Sequence, residues 1–479
     1  MIFQSIEQYR TSGFAPQVLI VGSGPAGITA ARKLASRGVP VTILEAGAAE
    51  YTDESQDFYR GALDGDPYFD LDVTRLREFG GCSNHWAGWC RVLEKHDFEK
   101  RAHIPHSGWP ISRADIDPYL NETREILGLR DWTADIRIND DIRQFEMIKS
   151  EAVRFREKFG PELEKSERIA VVLNTYATAL IGDGQRINSV EVFSAGTPAG
   201  SLAAPVVVAA TGGLENERLL LWSNERSNGG AVPHAAALGR YWMEHNHFLV
   251  GHALLFRDDA IAWDETGEAF LTVSPEAMAR REIGNFGVRV VPMPYHGAKR
   301  LVASLACVAP RLTEMMSDSI GAHLSCSAQL HLAWEQAPDP DNRVTLSATE
   351  RDAADVPRIE LHWKKRAFEH HTMIEAMRLL GHCFASKGIG RVRFDDWVIN
   401  EDGYPAELEI AGHHHMGGTR MGSDPAVSVV DAHQRVHGMQ NLYVAGSSVF
   451  TTGGQCTPTT TITALSLRLG EHLAQAIGA

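Results

Sequence analysis

The residues of this chain best suited to chemistry stand together at His413-His414-His415-Met416-Gly417-Gly418-Thr419-Arg420-Met421-Gly422. Imidazole exchanges a proton near neutral pH. The glycine-rich turn that follows lets backbone approach a flat ligand closely. Read alone, the segment is equally a polar loop with three solvated histidines. Three consecutive side chains alternate in extended chain, so they cannot converge on one metal ion. His245 and His247 can share a strand face, but no acid–histidine set completes a site of known spacing, and no metal is expected.

A second constellation lies near the start. Gln17-Val18-Leu19-Ile20-Val21 reads as a buried parallel strand. Gly22-Ser23-Gly24-Pro25-Ala26-Gly27 follows at once, then a helix over 28–36, a strand over 39–44, and Glu45. In this order the glycines allow a tight turn against a pyrophosphate, and the helix N-terminus supplies N–H groups and partial positive charge. Glu45 stands where a carboxylate accepts from both ribose hydroxyls and repels a 2′-phosphate. The extreme N-terminal position and the continuation Glu45-Ala46-Gly47 favour FAD over NAD. A flavoenzyme reduced by a pyridine nucleotide needs a second fingerprint. The best candidate, residues 206–216, lacks the spacing, so no second dinucleotide is expected.

These sites need a framework, and the composition supplies one. The chain has 479 residues, 44% of them hydrophobic and 22% charged, ordinary for a globular protein with a sizeable core. Its net charge of -15 disfavours a nucleic-acid partner. No apolar run reaches the length of a membrane span. The first eight residues lack a basic region followed by an apolar stretch, so a cytoplasmic location is expected. The six cysteines form no Cys-x-x-Cys pair, and reduced thiols are expected. Between 241 and 364 the pattern changes to period-two strands at 247–256, 285–291, 323–333, 343–346 and 358–362. This implies an antiparallel sheet that can wall a pocket. An amphipathic helix follows over 368–387.

Further segments join these two sites. They are the glycine-rich loop over 77–88, Ser107-Gly108-Trp109-Pro110, Ala209-Ala210-Thr211-Gly212, Asn441-Leu442-Tyr443-Val444-Ala445-Gly446-Ser447-Ser448, and Thr457-Pro458-Thr459 before a closing helix. With the histidine segment, the chain resembles the glucose–methanol–choline (GMC) family of FAD-dependent oxidoreductases along nearly its whole length. The pattern is nearest to the bacterial sugar-oxidising branch and to pyranose oxidases. The resemblance implies an α/β FAD-binding Rossmann-type domain plus an α+β substrate domain with a mainly antiparallel sheet. The FAD domain would be discontinuous (1–110, 168–240 and 425–479), with substrate-domain pieces at 111–167 and 241–424.

The resemblance also implies roles. FAD would lie against Gly22 to Gly27, Glu45, Ala46, Gly80, Gly81, Ser83, Asn84, His85, Ala87, Gly88, Ala177, Thr211, Gly212, Gly446, Ser447, Thr457, Pro458 and Thr459. His415 would take the proton of an alcohol or sugar hydroxyl while hydride leaves for the flavin N5, with His414 beside it. Oxygen, a quinone or a protein would accept the electrons. Ser83-Asn84-His85-Trp86 matches a segment that holds FAD covalently in pyranose oxidases. Related bacterial members share His-Trp without that bond, so His85 either carries it or packs at the flavin edge. One departure stands out: the family places Asn or His where this chain has Thr457. A threonine is no base near neutral pH, although its hydroxyl still donates and accepts. A flavoprotein subunit of an electron-transfer dehydrogenase, or an oxidase that tailors a natural-product alcohol, is the alternative reading.

Overall fold

A computed structural model describes all residues except 152, 257–258, 260, 294–303, 306, 310–311, 313–314, 316–326, 401–402, 411 and 479. Four-residue runs of branched aliphatics, buried almost throughout, build its central sheet: Val18–Val21, Val41–Leu44, Ile169–Val172 and Val206–Ala209. The six-stranded order is Ile2–Phe3, Ile169–Val172, Val41–Leu44, Val18–Val21, Val206–Ala209 and Leu442–Val444, and every pairing is parallel. A sheet buried on both faces needs such continuous apolar runs.

The helix Pro25–Ser36 covers one face of this sheet. The C-terminal helix Pro458–Ile477 packs directly on it. Small residues permit the close approach, for a Cβ on Gly470 would stand 2.7 Å from that of Lys33. The helix over the fingerprint starts at Pro25, earlier than the periodicity implied, because proline needs no N–H donor at the first helical position.

The antiparallel wall has seven strands, in the order Gly390–Phe394, Asn246–Leu255, Ala328–Trp334, Phe286–Pro292, Ala269–Val273, Ile142–Phe145 and Ile136–Arg137. Its inner face packs Phe248, Phe286, Leu332 and Trp334 under the helix Ala367–Ser386. Each such side chain contributes roughly 1.5–3 kcal/mol by leaving water.

Three expectations are corrected here. Arg343–Arg351 and Pro357–Trp363 do not extend the wall; they form a separate sheet in which Gly61–Gly65 pairs parallel to Pro357–Trp363. That long-range parallel pairing leaves no periodic trace in sequence. The expected strand at 323–333 begins at Ala328, and 323–326 lie outside the described residues. Cys82, Cys90, Cys383 and Cys456 are free thiols, whereas Cys307 is disulfide-bonded, so the thiols are not all reduced. Among the described residues no helix is long and apolar enough to cross a membrane.

Candidate active site

A cavity of about 690 Å³ runs from the first glycine turn to the antiparallel wall. At its nucleotide end two glycines are sterically required. A Cβ on Gly22, at φ +105°, would stand 2.4 Å from the Ala210 carbonyl oxygen; one on Gly27 would stand 2.0 Å from that of Gly22. A Cβ on Gly24 would meet nothing within 4 Å, and this glycine caps the helix without a side-chain hydrogen bond. The first N–H groups of the helix therefore face an open approach, which fits a pyrophosphate.

Glu45 is 6% exposed. One of its carboxylate oxygens accepts from the Ser23 N–H at 3.1 Å and from the Ser23 hydroxyl; the other accepts from the Gly47 N–H at 2.7 Å. Burial pushes its pKa up, and these bonds partly offset the rise. One lone pair remains for a ribose hydroxyl.

The histidine segment divides its side chains among three neighbours. His413 has φ +51°, so the chain is not extended there, and its ring meets Phe69 edge-on at 5.0 Å. Burial, with the nearby His85, pushes its pKa down to about 4. His414 Nδ1 lies 2.9 Å from Nδ1 of His245. His415 Nε2 lies 3.0 Å from the Tyr68 hydroxyl, and its ring packs near Trp242. Burial, then Arg75, holds His415 well below the usual imidazole range. Burial and four neighbouring histidines do the same to His414.

Glu244 ties these pieces together. One oxygen accepts from the Tyr68 hydroxyl at 2.6 Å; the other accepts from the backbone N–H of His245 at 2.8 Å and of His414 at 2.7 Å. Burial pushes its pKa up to about 7 against those hydrogen bonds. When Glu244 is ionised, Tyr68 donates its one proton to it, and the Tyr68 oxygen accepts from His415 Nε2–H. In neutral His415 the proton therefore sits on Nε2 and the lone pair on Nδ1.

The facing wall is polar at its centre and aromatic at its edge. Register pairs His247 with Ala333, Leu249 with His331, and Arg289 with His331, which brings His247, His331 and Arg289 to the cavity face. Burial and mutual repulsion push His247 down to about 3; burial and Arg289 push His331 down to about 4. Arg289 is held by Glu268 through two hydrogen bonds, at 2.6 and 2.5 Å, and lies over the Trp89 ring. Trp89 meets Phe270 edge-on at 5.0 Å.

The loop Gly453-Gly454-Gln455 closes the cavity and is braced from beneath. Gly454 N–H donates to Glu335, which also accepts two hydrogen bonds from Arg101 and one from the Asn285 N–H. Burial works against the Glu335 carboxylate, yet Arg101 and these donors hold it below the usual range. Asn285 also donates to Asp97 at 2.9 Å, and the Asp97 carbonyl accepts from Thr452.

Of the residues expected around the cofactor, Gly22 to Ala26, Glu45, Ala46, Gly81, Ser83, His85, Ala87, Gly88, Ala177, Thr211, Gly212, Gly446, Ser447, Thr457, Pro458 and Thr459 line the cavity. Gly27, Gly80 and Asn84 do not. Gly27 packs helix on turn, while Asn84 donates to Glu78 and to the Phe79 carbonyl. Thr457 caps the closing helix and donates its hydroxyl to the Trp89 carbonyl at 2.6 Å. Its proton is engaged, and only acceptor lone pairs remain. Sequence reasoning missed Tyr68, Glu244, Arg289 and His331. His245 and His247 were expected in a structural or substrate-contact role rather than as metal ligands, on the alternation over 247–256, and both line the cavity.

Residues 338–466 match the model of the GMC oxidoreductase family, and residues 15–58 match that of an FAD binding domain. A 2-methyl-1,2-propanediol dehydrogenase of Mycolicibacterium austroafricanum is 23% identical over 97% of this chain and 96% of its own. A C-glycoside 3-oxidase of Microbacterium trichothecenolyticum is 31% identical over 40% of this chain and 35% of its own. Among solved structures, pyridoxine 4-oxidase from Mesorbium loti shares the fold, with a TM-score of 0.58 and 16% identity over 95% of this chain and 99% of that one.

Proposed function

Because the chain belongs to the GMC oxidoreductases, FAD-dependent enzymes acting on alcohols and sugars, we propose that it oxidises a CH–OH group of a neutral polyhydroxylated substrate (a sugar, glycoside or related polyol) to a carbonyl. The observation that carries this reading is the continuity of the cavity, which joins the nucleotide turn, the histidine segment and the His247–Arg289–His331 wall in one space.

Bound FAD supplies the hydride acceptor. The protein's part is to hold the alcohol and to take its proton. Desolvation keeps His414 and His415 neutral at rest, so either ring has a lone pair for a hydroxyl hydrogen. A buried imidazolium then offsets negative charge developing on the substrate oxygen. Thr457 takes no proton in this scheme; its oxygen accepts from a second hydroxyl.

The wall favours a neutral substrate with several hydroxyl groups. His247 and His331 are held uncharged, and Arg289 is neutralised by Glu268. Among the described residues, the acids that line the cavity, Glu45, Glu78 and Glu215, all belong to the nucleotide half. Neutral imidazoles beside the Trp89–Phe270 pair offer donors, acceptors and apolar area, as a hydroxylated ring requires. The relatives named for a diol and a C-glycoside agree with that class.

The test is anaerobic bleaching of the flavin with a panel of sugars, glycosides, diols and simple alcohols, with NADPH as the contrast. Bleaching by a hydroxylated member of the panel is expected; bleaching by NADPH alone overturns the reading. Acid precipitation of the purified protein separates the two roles open to His85. Colour kept in the pellet assigns it a covalent bond to FAD; colour released assigns it an edge contact.

A further inference from the structure

We infer that the substrate has two parts: a hydroxylated ring seated at the His247–His331 end of the antiparallel wall, and an aromatic aglycone seated at its Phe145–Phe270 end. The inference rests on the alcohol-oxidation reading above and names the substrate class, an aryl glycoside.

Strand pairing lays the two ends along one row. Phe145 stands opposite Phe270, Phe270 opposite Arg289, and Arg289 opposite His331, each on a neighbouring strand. All four line the cavity. Three strand spacings separate the ends, about 14 Å, which leaves room for two linked six-membered rings. The next row is nearly bare at its centre, where Gly287 pairs with Ala333, and it ends at His247 opposite Ala333. A Cβ on Gly287 would stand 2.6 Å from Gln455 Oε1 and 3.6 Å from Phe145 Cζ. Glycine at this point lets the Gln455 amide and the Phe145 ring come together, so the polar and apolar halves of the wall meet there without a side chain between them.

The two ends offer different chemistry. Neutral imidazoles at His247 and His331 each present one donor and one acceptor, and Gln455 adds an amide to the same face. Such groups read hydroxyls. This end adjoins the histidine segment, because His247 is among the neighbours that act on His414, so the ring to be oxidised belongs here. At the other end Phe145, Met147 and Phe270 form an apolar cluster of their own, separate from the core of the wall, with Trp89 packed against it. Trp89 and Phe145 each meet Phe270 edge-on, at 5.0 and 5.9 Å. Apolar side chains that line a cavity instead of a core leave surface for a ligand to cover. Rings already set edge to face favour a further ring over an aliphatic group of the same size. Among the described residues no carboxylate lines this end, and Arg289 is turned onto Glu268, so a charged aglycone finds no partner.

The experiment measures anaerobic flavin reduction by the phenyl, cyclohexyl and methyl glycosides of one sugar that bleaches the flavin in the panel. The second-order rate constant should be at least about ten-fold higher for the phenyl than for the methyl glycoside, and about three-fold higher than for the cyclohexyl one. In Phe145→Ser the phenyl-to-methyl ratio should fall to within about two-fold of unity at unchanged FAD content. Phe145→Leu, which restores apolar area, should keep a ratio of at least about five. Should Phe145→Ser fail to load FAD, Met147→Gln serves in its place, since it puts an amide into the same cluster. A ratio near one in the parent, a ratio that survives both polar variants, or a cyclohexyl glycoside at or above the phenyl one overturns the inference. So does equal loss on all three glycosides together with loss of FAD, which would assign the cluster to the cofactor. A panel in which only simple alcohols and diols bleach the flavin overturns it as well. A parent that no alcohol bleaches overturns the alcohol-oxidation reading instead.

Discussion

Glu244→Gln is the most informative single substitution at this site. The glutamate is 2% exposed, and burial pushes its pKa up to about 7 from an ordinary 4.5. The folded protein therefore binds a proton between pH 4.5 and 7 that the unfolded chain has released. Stability from this group is fully present below pH 4.5 and is lost as pH rises through 7. The excursion of 2.5 pH units is worth about 3 kcal/mol at roughly 1.4 kcal/mol per unit. At about 2.1 cal/mol/K of unfolding entropy per residue over 479 residues, 1 kcal/mol moves Tm by about 1 °C. Glutamine keeps an oxygen for the backbone N–H groups of His245 and His414 but does not titrate. The constant cost of its altered contact with Tyr68 cancels in a difference curve. Thermal melting of both FAD-loaded proteins from pH 5 to 8 should therefore show the parent's Tm falling by about 3 °C relative to the variant. A difference flat to within about 1 °C would refute the assignment of a strained, buried carboxyl at the hub.

Other perturbations separate cradle, brace and turn. Gly27→Ala places a Cβ 2.0 Å from the Gly22 carbonyl oxygen, so the fingerprint turn must shift; FAD retention on gel filtration should weaken on the order of ten-fold. Arg101→Met leaves the Glu335 charge buried without its partner, which costs about 3–5 kcal/mol and should lower Tm by a similar number of degrees. Gly418→Ala is strained at φ +82° and meets the buried Glu217 carboxyl at 2.0 Å; it should slow flavin reduction more than it lowers FAD content, because the shift falls on the histidine turn.

What the sequence made legible is what short stretches of chain determine. The fingerprint could be read because Gly22, Gly27 and the helix start at Pro25 constrain one another within six residues. Alternation revealed three of the wall's seven strands, Asn246–Leu255, Phe286–Pro292 and Ala328–Trp334, but not which other strands join them. The hub could not: Tyr68 and His415 are separated by 347 positions, and Glu244 and His414 by 170. Nothing in 61–65 announces a strand, because all five residues are exposed and the pairing partner lies at 357–363. Which imidazole of the triplet faces the wall depends on the positive φ at His413, which local composition does not reveal. Thr457 departs from the family pattern in sequence; only the fold shows that its hydroxyl, at the start of the closing helix, donates to the Trp89 carbonyl.

The parallel sheet imposes an order on biosynthesis. Its strand Leu442–Val444 completes the edge beside Val206–Ala209, and the helix that follows covers the apolar face of Pro25–Ser36. A ribosome delivers these pieces only after everything up to residue 441 has been made. Until then the nucleotide turn exists, but Gly446, Ser447 and the Thr457 end of its cavity do not. Meanwhile the face of Pro25–Ser36 that the C-terminal helix covers stays exposed on the nascent chain, the kind of apolar surface that favours aggregation during synthesis. The cavity is therefore complete only once the segment through Thr459 has been made.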